Sequence, residues 1–507
     1  MKFIGFKKYL CAAALVLAGL NALASDANAL APPIVAKGNK FFNSETGEEF
    51  RLKGMAYYPR PNGGELANVG NYDWAADEHE NVWRPHLEIM QQLGVNTIRL
   101  YSIDPSKSHD AFMCACSEAG IYVLVGMTAP CENCSVIDEK PPACYPSELF
   151  SRVQMVYNAM AVYDNTLGFS VGNENNLQIK HGPGGTITAP CVKALLRDAR
   201  TYASSCTETL RQVPIGLDIA DIPPRDQWLQ YYDCVIDDDE NTRADWLGFN
   251  PYVECDPLGN QDYTDSEGLQ SLMKEYKDVG YSRPLMFGEF GCNEGTNTIE
   301  GWENQRSFND AKWMNDEPEM QAEIVGGNVF EFTTEIANLQ KTKKITKTKD
   351  PGKFGIGYFE PDNCDHDAIP CEFIPYPEFD NLLEAFTSTK PSKIIMESFK
   401  PTRTEALTCP KGVSTKLPPK PDVEMLACSA RQPVCKSSNS TRVPKTTIKR
   451  KKTTVSSPSA DADKTVTEPS SSSPETPLSS SHATSSACGI LPLLLSLVVL
   501  VLVSNEN

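Results

Sequence analysis

The pattern that decides the fold lies in residues 95–127, VNTIRLYSIDPSKSHDAFMCACSEAGIYVLVGM. Two apolar, β-branched runs, Val95–Tyr101 and Ile121–Met127, flank the amphipathic stretch Ala111–Ala119. Runs of this length and composition predict buried strands, and the stretch between them predicts a helix. A strand, a helix and a second strand in this order predict parallel pairing through a right-handed crossover.

The same unit recurs along the chain on both sides of this stretch. Six further apolar runs continue the series, namely Leu52–Tyr57, Leu167–Asn173, Val213–Leu217, Trp246–Tyr252, Pro284–Phe290 and Val325–Phe332. Eight strands alternating with helical patterns predict an α/β fold, a (β/α)8 TIM barrel over residues 39–400. A doubly wound open sheet is the alternative, but no GxGxxG or Walker loop follows the first strand.

Composition restricts the class of protein. The chain has 507 residues, of which 40% are hydrophobic, so wholesale disorder is excluded. Its net charge of −19 disfavours nucleic-acid binding, because phosphates must be neutralised by Lys and Arg. Seventeen cysteines indicate an oxidising compartment.

The N-terminus predicts secretion. Residues 1–24 combine Lys2, Lys7 and Lys8 with the apolar stretch Leu10–Leu20 and small residues at Ala22-Leu23-Ala24. This is the layout of a signal peptide, with cleavage possible as late as residue 29. A transmembrane anchor is the alternative, but the apolar run is too short for one.

The C-terminal hundred residues divide into three segments. Residues 401–436 form a small cysteine-containing tail, and residues 437–486 form a Ser/Thr/Pro-rich stalk that cannot bury enough apolar surface to fold. Residues 487–507 resemble a glycosylphosphatidylinositol (GPI) attachment signal, with small residues at Ser479–Ser481 before an apolar tail. A short membrane-spanning tail is the alternative.

Two carboxyl groups lie at the C-terminal ends of predicted barrel strands. Glu174 follows the fourth predicted strand, and Glu289 lies at the end of the seventh. Active sites of TIM barrels lie at the C-terminal ends of the strands, and glycoside cleavage needs a pair of carboxyl groups. The pair predicts a glycosidase, although a single glutamate in such a position would be weak evidence.

The sequence around these positions resembles that of one enzyme family. The segments are Asn96–Pro105, Tyr163–Leu167, Gly172–Glu174, Asn250–Cys255 and Gly288–Asn293. Together they resemble glycoside hydrolase family 72, the fungal-type β-1,3-glucanosyltransferases, over about residues 39–400. The family consists of lipid-anchored cell-wall enzymes, which agrees with both ends of this chain. It implies β-1,3-glucan donor and acceptor chains as partners and a location at the cell surface or cell wall.

The resemblance implies a role for each site residue. Glu174 would be the acid/base and Glu289 the nucleophile. The substrate-binding residues would be Tyr57, Arg99, Tyr101, Asn173, Asn250 and Tyr252. The Asn173 amide can bond a sugar hydroxyl, while Tyr252 and Arg99 can hold the Glu289 carboxylate. Alternatively, Tyr252 packs at the barrel rim and Arg99 pairs with a structural carboxylate.

These features predict a retaining transglycosidase that passes a cleaved glucan to another chain. A retaining endo-β-1,3-glucanase and a catalytically silent wall-glucan-binding protein are the alternatives. No cofactor and no metal are implied, because the chain carries no nucleotide, haem or metal motif.

The cysteines predict disulfides rather than a metal site. Fifteen remain without Cys11 and Cys488, so one is unpaired within the chain. Cys255 and Cys292 follow the sixth and seventh strands and can meet over the cleft, a bond that the resemblance also implies. Cys234 is expected to pair with Cys364 or Cys371. The CxxC motif Cys131–Cys134 fits a stapled loop better than zinc, because no second pair matches it.

Overall fold

The computed structural model describes residues 30–255, 260–292, 306–337, 354–431 and 435. The strands are β1 (Ile34–Lys37), β2 (Lys40–Asn43), β3 (Glu49–Phe50), β4 (Leu52–Ala56), β5 (Thr97–Leu100), β6 (Tyr122–Gly126), β7 (Thr166–Asn173), β8 (Ile215–Ala220), β9 (Leu247–Asn250), β10 (Leu285–Phe290), β11 (Gly326–Val329), β12 (Gly357–Glu360) and β13 (Glu372–Pro375). The α-helices are α1 (Glu80–Leu93), α2 (Asp110–Glu118), α3 (Ser147–Met160), α4 (Ala189–Ser205), α5 (Arg225–Asp233), α6 (Glu267–Val279), α7 (Asn309–Asp316), α8 (Pro318–Glu323) and α9 (Glu378–Thr387).

Strands β4 to β11 close into an eight-stranded parallel barrel in chain order. The ring is completed where β11 pairs with both β10 and β4. Each predicted run overlaps one of these strands, so the (β/α)8 barrel is confirmed. Strand β10 also pairs with β9, which makes the strands that carry the two cleft cysteines neighbours.

Local chemistry fixes where the elements end. Helix α1 stops at Gly94, whose left-handed backbone (φ +80°) lets its N–H reach the carbonyls of Met90 and Gln91. Glycine adopts this conformation without the strain that a side chain would impose. The chain then turns directly into β5.

A small sheet covers the N-terminal end of the barrel. Strands β1 to β3 form an antiparallel sheet whose Ile34 and Phe41 pack in one buried cluster with Leu52, Trp246 and Val325 from the beginnings of the barrel strands. The opposite, C-terminal end is therefore the end at which the barrel presents its loops.

Residues 401–431, the C-terminal belt, extend the folded unit beyond residue 400. They run without helix or strand across the outside of the barrel. Cys409 is bonded to Cys234, which follows α5, and Cys428 is bonded to Cys206, which follows α4. The segment predicted as a small tail is thus attached to the barrel.

The described residues contain seven disulfides and one free cysteine. The disulfides are Cys114–Cys435, Cys131–Cys134, Cys144–Cys191, Cys206–Cys428, Cys234–Cys409, Cys255–Cys292 and Cys364–Cys371, and Cys116 is free and buried. The stapled CxxC loop is confirmed. The pairing of Cys234 with Cys364 or Cys371 is wrong, because those two close the connection between β12 and β13 while Cys234 meets the belt.

The predicted signal peptide (1–24, or to 29), the stalk (437–486) and the GPI signal (487–507) lie outside the described residues. Within the described part of the chain, no helix is both long enough and apolar enough to cross a bilayer.

Candidate active site

Seven of the eight predicted site residues meet at the C-terminal end of the barrel. They come from the ends of β5, β7, β9 and β10 and from the residues directly after them. The seven are Arg99, Tyr101, Asn173, Glu174, Asn250, Tyr252 and Glu289.

Glu289 is buried and accepts hydrogen bonds at both carboxylate oxygens. Its Oε1 accepts from Arg99 Nη1 at 3.0 Å and from Tyr101 Oη at 2.7 Å, and its Oε2 accepts from Tyr252 Oη at 2.9 Å. Burial raises the pKa of both Tyr101 and Tyr252, so their hydroxyls keep the protons that they donate. Donors arranged in this way stabilise negative charge on the carboxylate.

Arg99 connects the two halves of the site. Its Nη1 donates to Glu289 and to the Gly288 carbonyl, while its Nη2 donates to Asn173 Oδ1 at 2.9 Å. The same Nη2 lies 3.0 Å from Asp218 Oδ2. Burial acts to lower the pKa of Arg99, but the carboxylates of Asp218 and Glu289 outweigh it and raise that pKa. Both sequence interpretations of Arg99 therefore hold: it faces Glu289 and it pairs with a buried carboxylate.

Glu174 lies in a different electrostatic environment from Glu289. Its backbone turns left-handed (φ +53°) directly after β7, and its N–H donates to the Asp218 carbonyl at 3.0 Å. Its Oε1 accepts from Asn250 Nδ2 at 2.8 Å. Loss of hydration, and then the charge of Glu289, raise the pKa of Glu174 from 4.5 to about 8. Glu174 therefore holds a proton at neutral pH.

A disulfide joins the loops that follow β9 and β10. Cys255 and Cys292 are bonded, with their Cα atoms 4.8 Å apart, so the predicted pairing is confirmed. Tyr252 and Glu289 each lie three residues before one of these cysteines. The bond therefore restrains the backbone on either side of the Tyr252–Glu289 hydrogen bond.

Tyr57 does not join the cluster. Its side chain is 1% exposed, and its hydroxyl is hydrogen-bonded to His86 Nδ1 at 2.9 Å. Its ring packs edge-on against Phe332. These contacts place Tyr57 in the packing between β4 and α1 rather than in the cleft, contrary to its predicted contact with the sugar.

Two buried carboxyl groups near the site carried no role in the sequence interpretation. Asp218 lies one residue beyond Leu217, the predicted end of the fifth strand. The predicted strand ends at Leu217 because the next residue is charged and the apolar run stops there. Glu331 follows β11, and burial raises its pKa well above the usual range. A charged residue inside an otherwise apolar barrel strand, such as Asp218 within IGLDIA, is the signal that could have revealed it.

Known proteins resemble this chain in sequence and in architecture. The profile of glycoside hydrolase family 72, described as glucanosyltransferase, matches residues 23–349. The chain belongs to this family. The 1,3-beta-glucanosyltransferase GAS2 of Saccharomyces cerevisiae is 31% identical over 78% of this chain and 65% of its own length. The 1,3-beta-glucanosyltransferase gel2 of Aspergillus fumigatus is 34% identical over 62% of this chain and 60% of its own length.

The chain also resembles solved structures of yeast Gas2. One of them, a glutamate-to-glutamine mutant in complex with laminaritetraose and laminaripentaose, superposes with a TM-score of 0.59 at 30% identity and covers 77% of this chain and 75% of Gas2. The mutant without ligand superposes with a TM-score of 0.61. The chain spans 60–65% of the length of the two curated relatives named above.

Proposed function

We propose that the protein is a retaining 1,3-β-glucanosyltransferase that cleaves a β-1,3-glucan and transfers the donor part to another glucan chain. The observation that carries this proposal is the contrast between two glutamates. Glu289 accepts three hydrogen bonds from Arg99, Tyr101 and Tyr252, whereas Glu174 holds a proton at neutral pH. A retaining mechanism needs one carboxylate that attacks and one acid that protonates. The names of the relatives and the ligands of the Gas2 complex support a β-1,3-glucan as the substrate.

The proposed reaction has two steps. In the first, a Glu289 oxygen forms a bond to the anomeric carbon while the glycosidic bond breaks, and Glu174 gives its proton to the departing oxygen. In the second, Glu174 takes a proton from a hydroxyl of the acceptor glucan, whose oxygen then displaces Glu289 from the anomeric carbon. The acceptor becomes longer, and both glutamates return to their starting states.

Asn173 and Asn250 are proposed to orient the sugar and the acid. Asn173 Oδ1 accepts from Arg99 and Asn250, which fixes the orientation of its amide and makes Nδ2 the group that can donate to a sugar hydroxyl. Hydrogen bonds to the 2-OH strengthen in the transition state of glycoside cleavage. Asn250 holds Glu174 Oε1 and so aims the proton.

The products from a single oligosaccharide test the activity. Purified secreted protein is incubated with laminaripentaose, and the products are separated by length, with the Glu289→Gln variant as the control. Products longer than the substrate are expected from the wild type. Shorter products alone would instead indicate an endo-β-1,3-glucanase, and an unchanged substrate would indicate a glucan-binding protein.

We also propose that the protein is secreted and held at the cell surface by a GPI lipid added near Ser479–Ser481. The small residues, polar spacer and apolar tail at the C-terminus support this. Phosphatidylinositol-specific phospholipase should release the protein from membranes. A protein that only detergent releases, with Ile490–Val503 still attached, would instead carry a membrane-spanning tail.

A further inference from the structure

Asp218 is a buried charge that the proposed reaction does not use. It lies in the middle of β8 and is 1% exposed. Its Oδ2 is 3.0 Å from Arg99 Nη2 and accepts a hydrogen bond from Ser170 Oγ at 2.8 Å. Arg99 is also buried, so this ion pair is shielded from water and from salt.

Asp218 is linked to both glutamates of the site. Its backbone carbonyl accepts the N–H of Glu174 at the left-handed turn after β7. Its side chain holds the guanidinium whose other nitrogen donates to Glu289 Oε1 at 3.0 Å. A displacement of Asp218 would therefore move Glu174 through the backbone hydrogen bond and Glu289 through Arg99.

The neighbouring strands leave room for this carboxylate. A Cβ atom added to Gly248 of β9 or to Gly288 of β10 would lie 2.3 Å from Asp218 Oδ1. Asp218 therefore packs directly against the backbone that precedes Glu289. The Oδ1 atom is buried and has no hydrogen-bond partner among the described residues. Leaving such an atom unpaired costs stability, so stability alone does not account for the arrangement.

We propose that Asp218 is a positioning residue that anchors Arg99 beneath the cleft and thereby fixes the Glu289 carboxylate and the Asn173 amide for attack on the sugar. Its effect on rate rests on the proposed function, because the reacting groups are those named for it. The anchoring itself is a property of the folded chain and can be observed without substrate.

The charge of Asp218 also acts on its neighbours. The titratable groups around it are Arg99 on β5, Glu174 after β7 and Glu289 on β10, with Tyr101 and Tyr252 bonded to Glu289. Asp218 shares the single positive charge of Arg99 with Glu289. Its negative charge is one of the causes that raise the pKa of Glu174, so removing it should lower that pKa.

Two substitutions separate geometry from charge. Asp218→Asn keeps the volume and can still accept from Ser170 and Arg99, so kcat should stay within about tenfold. The alkaline limb of the kcat/KM profile, which the proposed function assigns to Glu174, should move to lower pH by about one unit. Asp218→Ala removes the anchor, so kcat should fall about 100-fold while KM changes little. In a crystal structure of Asp218→Ala, Arg99 Nη2, which Asp218 holds in the wild type, should have moved away from Asn173 Oδ1.

The matched control is Asp233→Asn, which alters an equally buried aspartate paired with Arg243 at 2.7 Å on the outside of the barrel. It should lower stability without changing kcat or the pH profile. If both Asp218 variants behave like this control, or if Arg99 Nη2 keeps its place on Asn173 Oδ1 in the alanine variant, the proposal is overturned. If Asp218→Ala does not fold, the pH profile of Asp218→Asn decides. An inactive wild type would count against the proposed function, and the position of Arg99 would still test the anchoring.

Discussion

At the scale of single residues, two glutamates of the same chemistry differ because their neighbours differ. Glu289 faces one guanidinium and two tyrosine hydroxyls, all of them donors. Among the described residues, the Glu174 carboxyl group accepts a hydrogen bond from the Asn250 amide, and it lies beside the negative charge of Glu289. This contrast supports the proposed roles, with Glu174 as the acid and Glu289 as the nucleophile.

Removing either ionisable group should abolish turnover. Glu174→Gln and Glu289→Gln keep the side-chain volume, so we expect folded proteins with kcat lower by about 10³-fold or more. Thermal unfolding checks the fold, and conversion of laminaripentaose to products of other lengths measures kcat. Near-normal activity in either variant would contradict the assignment of that residue.

Azide rescue should distinguish the two roles. Azide can replace the missing nucleophile in Glu289→Ala, which gives a glycosyl azide of inverted configuration. In Glu174→Ala it attacks the glycosyl-enzyme instead, so the product keeps the substrate's configuration. Proton NMR of the anomeric position identifies each product. The opposite assignment of the two configurations would mean that the roles are exchanged.

The pKa of Glu174 sets a limit on alkaline activity. Because this pKa is raised to about 8, the acid is protonated below that pH and loses its proton above it. We expect kcat/KM, which reports the free enzyme, to fall about tenfold per pH unit above this value. A substrate whose leaving group needs no protonation serves as the control, since its glycosylation step should lack this limb. A flat profile through pH 10 for the natural glucan would contradict the acid role.

At the scale of elements, periodic patterns were predictable and pairings across the fold were not. All eight barrel strands were recognisable because buried parallel strands form continuous apolar runs. The strand-end rule then located Arg99, Glu174 and Glu289 together. The partner of Cys234 was missed because disulfide connectivity depends on which distant segments meet, and no local pattern records that. Tyr57 was misplaced for the same reason, since its burial depends on His86 and Phe332 from other elements.

The disulfide over the cleft should matter more for rate than for folding. Replacing Cys255 and Cys292 together by Ser frees the loops that follow Tyr252 and Glu289. A displacement of about 1 Å at a catalytic group costs on the order of 100-fold in rate, so kcat should fall by up to that factor. The control is the double serine variant of Cys206 and Cys428, which lose their bond on the outer side of the barrel. Equal effects of the two variants on kcat would argue against a role for the cleft disulfide in positioning.

At the scale of the whole molecule, the C-terminal belt encircles part of the barrel. It meets α5 through Cys234–Cys409 and then α4, where Arg197 donates to the Pro418 carbonyl at 3.1 Å. It next meets α3, where the Leu426 N–H donates to Gln154 Oε1 at 2.9 Å. Cys435 finally bonds to Cys114 in α2. The belt and Cys435 therefore hold four consecutive barrel helices, α2 to α5.

This arrangement predicts different results for two truncations. A chain that ends after residue 435 keeps the belt, so its melting temperature and kcat should match those of the mature protein. A chain that ends after residue 400 loses three disulfides, each worth roughly 2–5 kcal/mol in a small domain, and should melt lower by on the order of 10 °C. The three cysteines left without partners, together with Cys116, should give four thiols in the unfolded chain.

The activity of the shorter chain shows whether the belt only stabilises the barrel or also supports the active site. The belt contacts the outer faces of α2 to α5, whereas the site is built from the ends of β5, β7, β9 and β10. At a temperature at which the shorter chain is still folded, its kcat should therefore stay within about twofold of the longer chain, because no group of the site is displaced. Thiol titration in denaturant, thermal unfolding and laminaripentaose transfer measured on both chains provide the comparison. Equal melting temperatures would show that the belt adds no stability, and a large loss of kcat in the folded shorter chain would show that the belt supports the cleft itself.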